Sequence, residues 1–145
     1  MKVSTKARYG LRLMMALANR HGQGPVFLKD IARDQELSEK YLSRIVIELR
    51  AAGLVDAFRG ANGGYVLAHE PYAITVGDVV RTLEDMTPVD CVRDTAVCSR
   101  VELCSANEVW RRLNEAISET LNKITLADML AWSRQRNENY TMYYL

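Results

Sequence analysis

Leu28-Lys-Asp-Ile-Ala-Arg-Asp34, Gln35-Glu-Leu37 and Ser38-Glu-Lys-Tyr-Leu-Ser-Arg-Ile-Val-Ile-Glu-Leu-Arg-Ala-Ala-Gly53 are the stretch whose reading decides the fold. In the first piece Leu28, Ile31 and Ala32 fall on one face, so a short helix is expected from Leu28 to about Asp34. Gln35-Glu-Leu37 is the turn. Ser38 can accept a hydrogen bond from a first-turn N–H, which predicts a helix from Glu39 to about Ala52, closed by Gly53. Leu42, Ile45, Val46 and Leu49 form its apolar stripe, while Lys40, Tyr41, Ser43, Arg44 and Arg50 lie largely outside it. A short helix, a tight turn and a second helix exposing basic residues near its start make a helix-turn-helix pattern.

The flanks extend this pattern. On the N-terminal side, Ser4 or Thr5 caps a helix running to about Arg20, with Ala7, Leu11, Met14, Met15 and Ala18 at helical spacing as core filling. His21-Gly-Gln-Gly-Pro25 stops it. On the C-terminal side, Leu54–Phe58 and Tyr65–Ala68 are short strand-like runs separated by Arg59-Gly-Ala-Asn-Gly-Gly64, which reads as a β-hairpin. A hairpin directly after a helix-turn-helix is a wing. Arg59 stands at the mouth of its turn, where glycines let backbone approach a phosphate and the side chain can enter the minor groove. Residues 1–70 are therefore expected to be a winged helix-turn-helix DNA-binding domain, with Ser38, Lys40, Tyr41, Arg44, Arg59, Asn62 and Gly63 as its DNA-binding candidates.

Residues 71–145 read as a cysteine loop and dimerisation region. Thr75-Val-Gly-Asp78 is a capping box opening a helix to about Glu84, and Thr87-Pro88 ends it. After a loop, a long helical pattern runs from Cys104 to about Lys123. Trp110, Leu113, Ile117, Leu121 and Ile124 step along one face of it by 3 or 4 residues. That face is too continuous for the short elements left to cover it. It is assigned to a symmetric homodimer through Trp110, Leu113, Ile117 and Leu121. Thr125-Leu-Ala-Asp128 starts a last short helix through Trp132, and the polar tail from Ser133 is expected to be loosely ordered. The fold class is mainly α, a winged helix-turn-helix with a two-stranded wing and a long C-terminal dimerisation helix.

Composition fits this reading. The 145 residues are 48% hydrophobic and 26% charged, an ordinary globular balance. No apolar run approaches the roughly 20 residues of a membrane span, and Met-Lys-Val-Ser-Thr-Lys has no apolar signal core, so a cytoplasmic location without a membrane partner is expected. The net charge of +1 is unevenly spread. Residues 1–70 hold 11 of the 19 Lys and Arg but 7 of the 18 Asp and Glu, which leaves a basic half joined to an acidic one.

All three cysteines, Cys91, Cys98 and Cys104, lie within 14 residues. An odd number in a reducing compartment argues against a disulfide framework and for a metal or redox site. Gaps of six and five residues are longer than structural zinc sites favour, whereas a flexible loop can wrap a cluster. From spacing alone a cluster, a zinc ion and redox thiols all remain open. A catalytic cysteine would need a base, and the two histidines, His21 and His69, both fall in the DNA-binding half, so the chain is not read as an enzyme.

Ser4-Thr-Lys-Ala-Arg-Tyr9, Leu37-Ser-Glu-Lys-Tyr-Leu42, Gly53-Leu-Val55, Arg59-Gly-Ala-Asn-Gly-Gly-Tyr65, the cysteine triplet ahead of Trp110, and Ile124-Thr-Leu126 together resemble the IscR-type winged-helix transcription regulators over almost the whole chain. The resemblance implies a homodimer on a double-stranded DNA operator. It also implies a [2Fe–2S] cluster on Cys91, Cys98 and Cys104 that controls genes of iron–sulfur cluster biogenesis. Some members regulate cysteine metabolism and carry no cluster. The chain departs from the cluster-bearing pattern at two points. Asn107 stands where the assembly regulators place a ligating histidine, and Arg8 where nitric-oxide sensors lend an aspartate from the partner subunit, so the fourth ligand is open. Beside the cluster-responsive regulator stand two alternatives. One is a cluster-free regulator of cysteine metabolism; the other is a winged-helix protein-interaction module with a zinc clip or thiol sensor.

Overall fold

The structure, a computed structural model, describes residues 1–144. Three helices and a hairpin come first: α1 (Thr5–Asn19), α2 (Leu28–Gln35), α3 (Glu39–Ala51), β1 (Val55–Phe58) and β2 (Gly64–Leu67). Then follow α4 (Val76–Leu83), a one-turn α5 (Asp90–Arg93), α6 (Ser105–Lys123) and α7 (Leu126–Tyr144). The fold is mainly helical, with a winged helix-turn-helix at its N-terminal end.

Ser4 caps α1 by accepting from the Ala7 N–H at 3.0 Å, and the left-handed Glu36 (φ 56°) turns the chain out of α2. β1 and β2 pair antiparallel with Val55 opposite Leu67 and Phe58 opposite Gly64. Val26 adds one bridge to Tyr65, with N–H···O distances of 3.0 and 2.9 Å in the two directions. Gly64 (φ +130°) permits this, because a Cβ there would collide with the Val26 backbone.

One core joins most elements. Leu13, Met14 and Leu17 of α1, Ile31 of α2, Leu42, Ile45 and Leu49 of α3, Val55 of β1, Val79 of α4 and Leu126 of α7 are all buried in it. The expected stripes of α2 and α3 are buried in full. The stripe of α1 is turned relative to expectation: Leu13 and Leu17 go to the core, and Leu11 and Met15 are only half-buried. Gly10 lets α4 cross α1 closely, since a side chain there would meet Leu83.

Thr75 and Thr125 both start helices with the expected capping box, closed by Asp78 and Asp128. The two starts are themselves bridged, the Val76 N–H donating to Ile124 O at 2.8 Å and the Leu126 N–H to Ile74 O at 3.0 Å. The C-terminal tail corrects the sequence reading. Instead of ending near Trp132 and loosening from Ser133, α7 continues to Tyr144. Ser133-Arg-Gln-Arg-Asn-Glu-Asn-Tyr140 has no apolar period, but it also has no Gly or Pro to stop a helix already begun at Leu126.

Candidate functional site

The first surface is built on α3. Its cap forms as expected, the Ser38 Oγ accepting from the Tyr41 N–H at 3.2 Å. Ser38, Lys40, Tyr41 and Arg44 line one shallow hollow of about 270 Å³. Tyr41 is half-buried, its ring edge-on to Tyr9 of α1 with centroids 5.8 Å apart. Arg8 and Arg12 lie over the Tyr9 ring at 5.9 and 5.8 Å. Arg12 also grips the end of α2, its Nε donating to Gln35 Oε1 at 3.2 Å and its Nη2 to the Gln35 carbonyl. Tyr9 and Arg12 thus set the turn of the helix-turn-helix from behind. The sequence reading did not single them out, since no local spacing links them to Tyr41 or Gln35.

The wing places Arg59 and Asn62 on an exposed tip. Gly63 is different. It is buried, its N–H donating to Gly60 O at 3.0 Å, and a Cβ there would strike the Phe58 carbonyl. It shapes the turn and presents no surface. Among the described residues no hydrogen bond or ion pair engages the side chains of Lys40, Arg44 or Arg59. Three exposed cations are therefore left for an outside partner.

The cysteine loop is the second surface. Cys91 sits on α5, half-buried like Cys98; Cys104 is exposed at the start of α6. Asn107 is the one buried residue of α6, only 5% exposed. Its Nδ2 donates to the Cys91 Sγ at 3.3 Å and, at 3.5 Å, to the Cys91 carbonyl. Cys91 and Cys104 share a half-open cavity of about 510 Å³ with Asn107, Glu102, Glu108 and Arg111, which Cys98 does not line. Arg93 ties α5 to the end of α4, donating to Asp85 at 2.6 Å and to Asp90 at 2.8 Å. Hydrogen bonds from Thr87, and after them the Arg93 guanidinium, lower the Asp85 carboxyl pKa to about 2.

This arrangement does not fit a cluster as it stands. Among the described residues no group of three His, Cys, Asp or Glu is placed to hold a metal ion. The Asn107 amide turns an N–H donor, not an electron pair, toward the Cys91 sulfur.

The third surface is the face of α6. Leu113, Ile117 and Leu121 are half-buried and Trp110 is 38% exposed. Of its apolar residues Leu121, with Ile124 just beyond the helix, lies against the small cluster of Ala7, Val76 and Val80. Met86, Ile117, Thr120 and Leu121 line an apolar hollow of about 300 Å³.

Residues 3–132 match the Rrf2 family, described as an iron-dependent transcriptional regulator. The HTH-type transcriptional regulator CymR of Bacillus subtilis (strain 168) is 46% identical over 144 residues, 99% of each chain. The solved structure of CymR, the global cysteine regulator of B. subtilis, superposes with a TM-score of 0.76, covering 91% of this chain and 98% of that one. The structure of T. potens IscR, 45% identical, also gives 0.76, covering 92% of this chain and 88% of that one.

Proposed function

The chain belongs to the Rrf2 family of transcriptional regulators, and from that premise we propose that two copies bind a pseudo-palindromic operator in the cytoplasm through α3 and the wing. The family is one of DNA-binding regulators and not of enzymes. The observation that carries the reading is the uncommitted trio Lys40, Arg44 and Arg59 on one winged helix-turn-helix. Ser38, Lys40, Tyr41 and Arg44 enter the major groove, while Arg59 and Asn62 meet the minor groove or its phosphates. Gly63 serves by shaping the wing. The functional division falls near residue 70, with residues 71–145 carrying the cysteine loop and the dimer face. Trp110, Leu113, Ile117 and Leu121 of two α6 helices close on one another, which spaces the half-sites by about one helical turn or a multiple of it.

For the signal, a cluster-free regulator of cysteine metabolism is the reading favoured by Asn107, whose N–H engages Cys91 where a ligand would be needed, and by the 46% identity to CymR. A second reading keeps a [2Fe–2S] cluster on Cys91, Cys98 and Cys104, controlling genes of iron–sulfur cluster biogenesis. It is favoured by three thiols within 14 residues and by the likeness to T. potens IscR, and it requires Cys98 to move toward the shared cavity.

Selection of duplex DNA from a random pool, followed by titration at fixed salt, tests the DNA reading. Arg59→Ala should weaken binding to the selected operator. Arg44→Ala should also change base preference, by roughly 1–3 kcal/mol if it pairs bidentately with guanine. Wild-type affinity in both variants would overturn the placement of α3 and the wing.

A further inference from the structure

We propose that Ile47 reads sequence directly, its side chain contacting the C5-methyl group of one thymine in the major groove of each half-site. The inference rests on the placement of α3 proposed above and adds a base-specifying residue to it.

The buried stripe of α3 is Leu42, Ile45, Val46 and Leu49. On the uncovered side, Lys40, Arg44, Ile47 and Ala51 follow one another at steps of four, three and four, so they form a single line along the helix. Ile47 is 66% exposed in that line. A lone exposed apolar residue is ordinary on a protein surface and by itself means nothing. What separates Ile47 is its register. It stands one turn beyond Arg44 and two beyond Lys40, the two cations of this helix assigned to DNA, whose side chains have no partner among the described residues.

Neither folding nor packing accounts for isoleucine here. A β-branched side chain is a poorer helix former than Ala, Lys or Glu, and little of this one is covered by its own chain. Ser43, on the same side of the helix, turns its hydroxyl back to the Glu39 carbonyl at 2.9 Å and so offers its proton to the helix instead of a base edge. The line therefore presents a cation, a second cation and then a purely apolar group.

The major groove contains one apolar group to match, the thymine methyl, which cytosine, guanine and adenine lack. A protein partner could also cover an exposed isoleucine. The unpaired cations along the same line favour a polyanion instead. Ile47 lies about 4.5 Å further along the helix axis than Arg44, slightly more than one base-pair step of ~3.4 Å. The thymine is therefore expected beside the base pair that Arg44 meets.

The test removes the methyl and the side chain separately. In the selected operator, each symmetric pair of thymidines is replaced in turn by deoxyuridine, which deletes only the methyl group, and wild type and Ile47→Ala are titrated on every duplex at one salt concentration. One symmetric pair should cost the wild type about fourfold per half-site, the scale of one buried carbon. Ile47→Ala should bind the unmodified operator more weakly by a similar factor and be indifferent to that replacement. Its unfolding midpoint should match wild type, which separates loss of a contact from loss of the fold. Arg44→Ala, titrated alongside, separates the two readings. If Arg44→Ala shifts base preference but no deoxyuridine replacement distinguishes wild type from Ile47→Ala, the thymine contact is overturned and the placement of α3 stands. If Arg44→Ala changes nothing, the placement itself has failed.

Discussion

The backbone N–H of Ser4 donates to both carboxylate oxygens of Glu84, at 3.1 and 2.9 Å, across 80 residues of sequence. Ser4 is the N-cap of α1 and Glu84 the C-cap of α4, so the carboxylate locks the start of one helix to the end of another. Glu84→Ala should remove a charge-assisted bond to a partly buried N–H and lower stability by about 1–2 kcal/mol. Glu84→Gln keeps an acceptor oxygen and should lose less. Urea unfolding midpoints of the three proteins check the order.

The neighbouring Asp85 faces the other way, toward Thr87 and Arg93. With its pKa lowered to about 2 in the folded protein against an ordinary 3.8, it holds its charge more firmly folded than unfolded. Its contribution is complete above about pH 4 and is lost as the pH falls toward 2. Titration of the Asp85 carboxyl by NMR should show a midpoint near 2 in the wild type. In Arg93→Ala it should move only part of the way back, because Thr87 still donates. The stability difference between the two proteins should be flat above pH 4 and shrink below it.

Ile117 is half-buried at the centre of the α6 face and beside an apolar hollow, so a carboxylate there meets water in a single copy of the chain. Between two copies it would be an unpaired buried charge, which typically costs several kcal/mol. Ile117→Glu should therefore fold, sediment as a monomer and lose operator affinity. A stable Ile117→Glu dimer would show that the seam lies elsewhere.

Anaerobic reconstitution with iron and sulfide separates the two readings of the cysteine loop. On the cluster-free reading, wild type gains no visible absorption and its operator affinity is unchanged. Asn107→His then replaces the amide donor with a ring nitrogen able to ligate, and should raise iron uptake. Visible absorption in the wild type that disappears in Cys98→Ala would instead establish the cluster and its third thiolate.

What could be read from the sequence was local. Ser38 with the stripe Leu42, Ile45, Val46 and Leu49 defines α3 without help from the rest of the chain, because cap and period both lie within four turns. The capping boxes at Thr75 and Thr125 are equally self-contained. Relations across distance left no local mark. The Ser4–Glu84 bond, the hold of Arg12 on Gln35 and the ring contact of Tyr9 with Tyr41 join residues that no periodicity connects. Asn107 was visible as a departure from a ligand pattern, but its contact with Cys91 depends on how the loop folds over α6. The length of α7 is hidden in the sequence for another reason: absence of an apolar period marks exposure and does not end a helix.

Because the Val76 and Leu126 amides bond across to Ile124 and Ile74, everything between α4 and α7 leaves and returns through a single doorway. The remaining scaffold meets that excursion chiefly at its threshold and along α4. Chain-closure entropy rises slowly with length, by about 0.6 kcal/mol for each doubling, so lengthening or shortening the stretch 86–104 costs little in chain closure. On the proposed function, a sensing chemistry carried there is exchangeable as one cassette while the helix-turn-helix and wing are inherited unaltered.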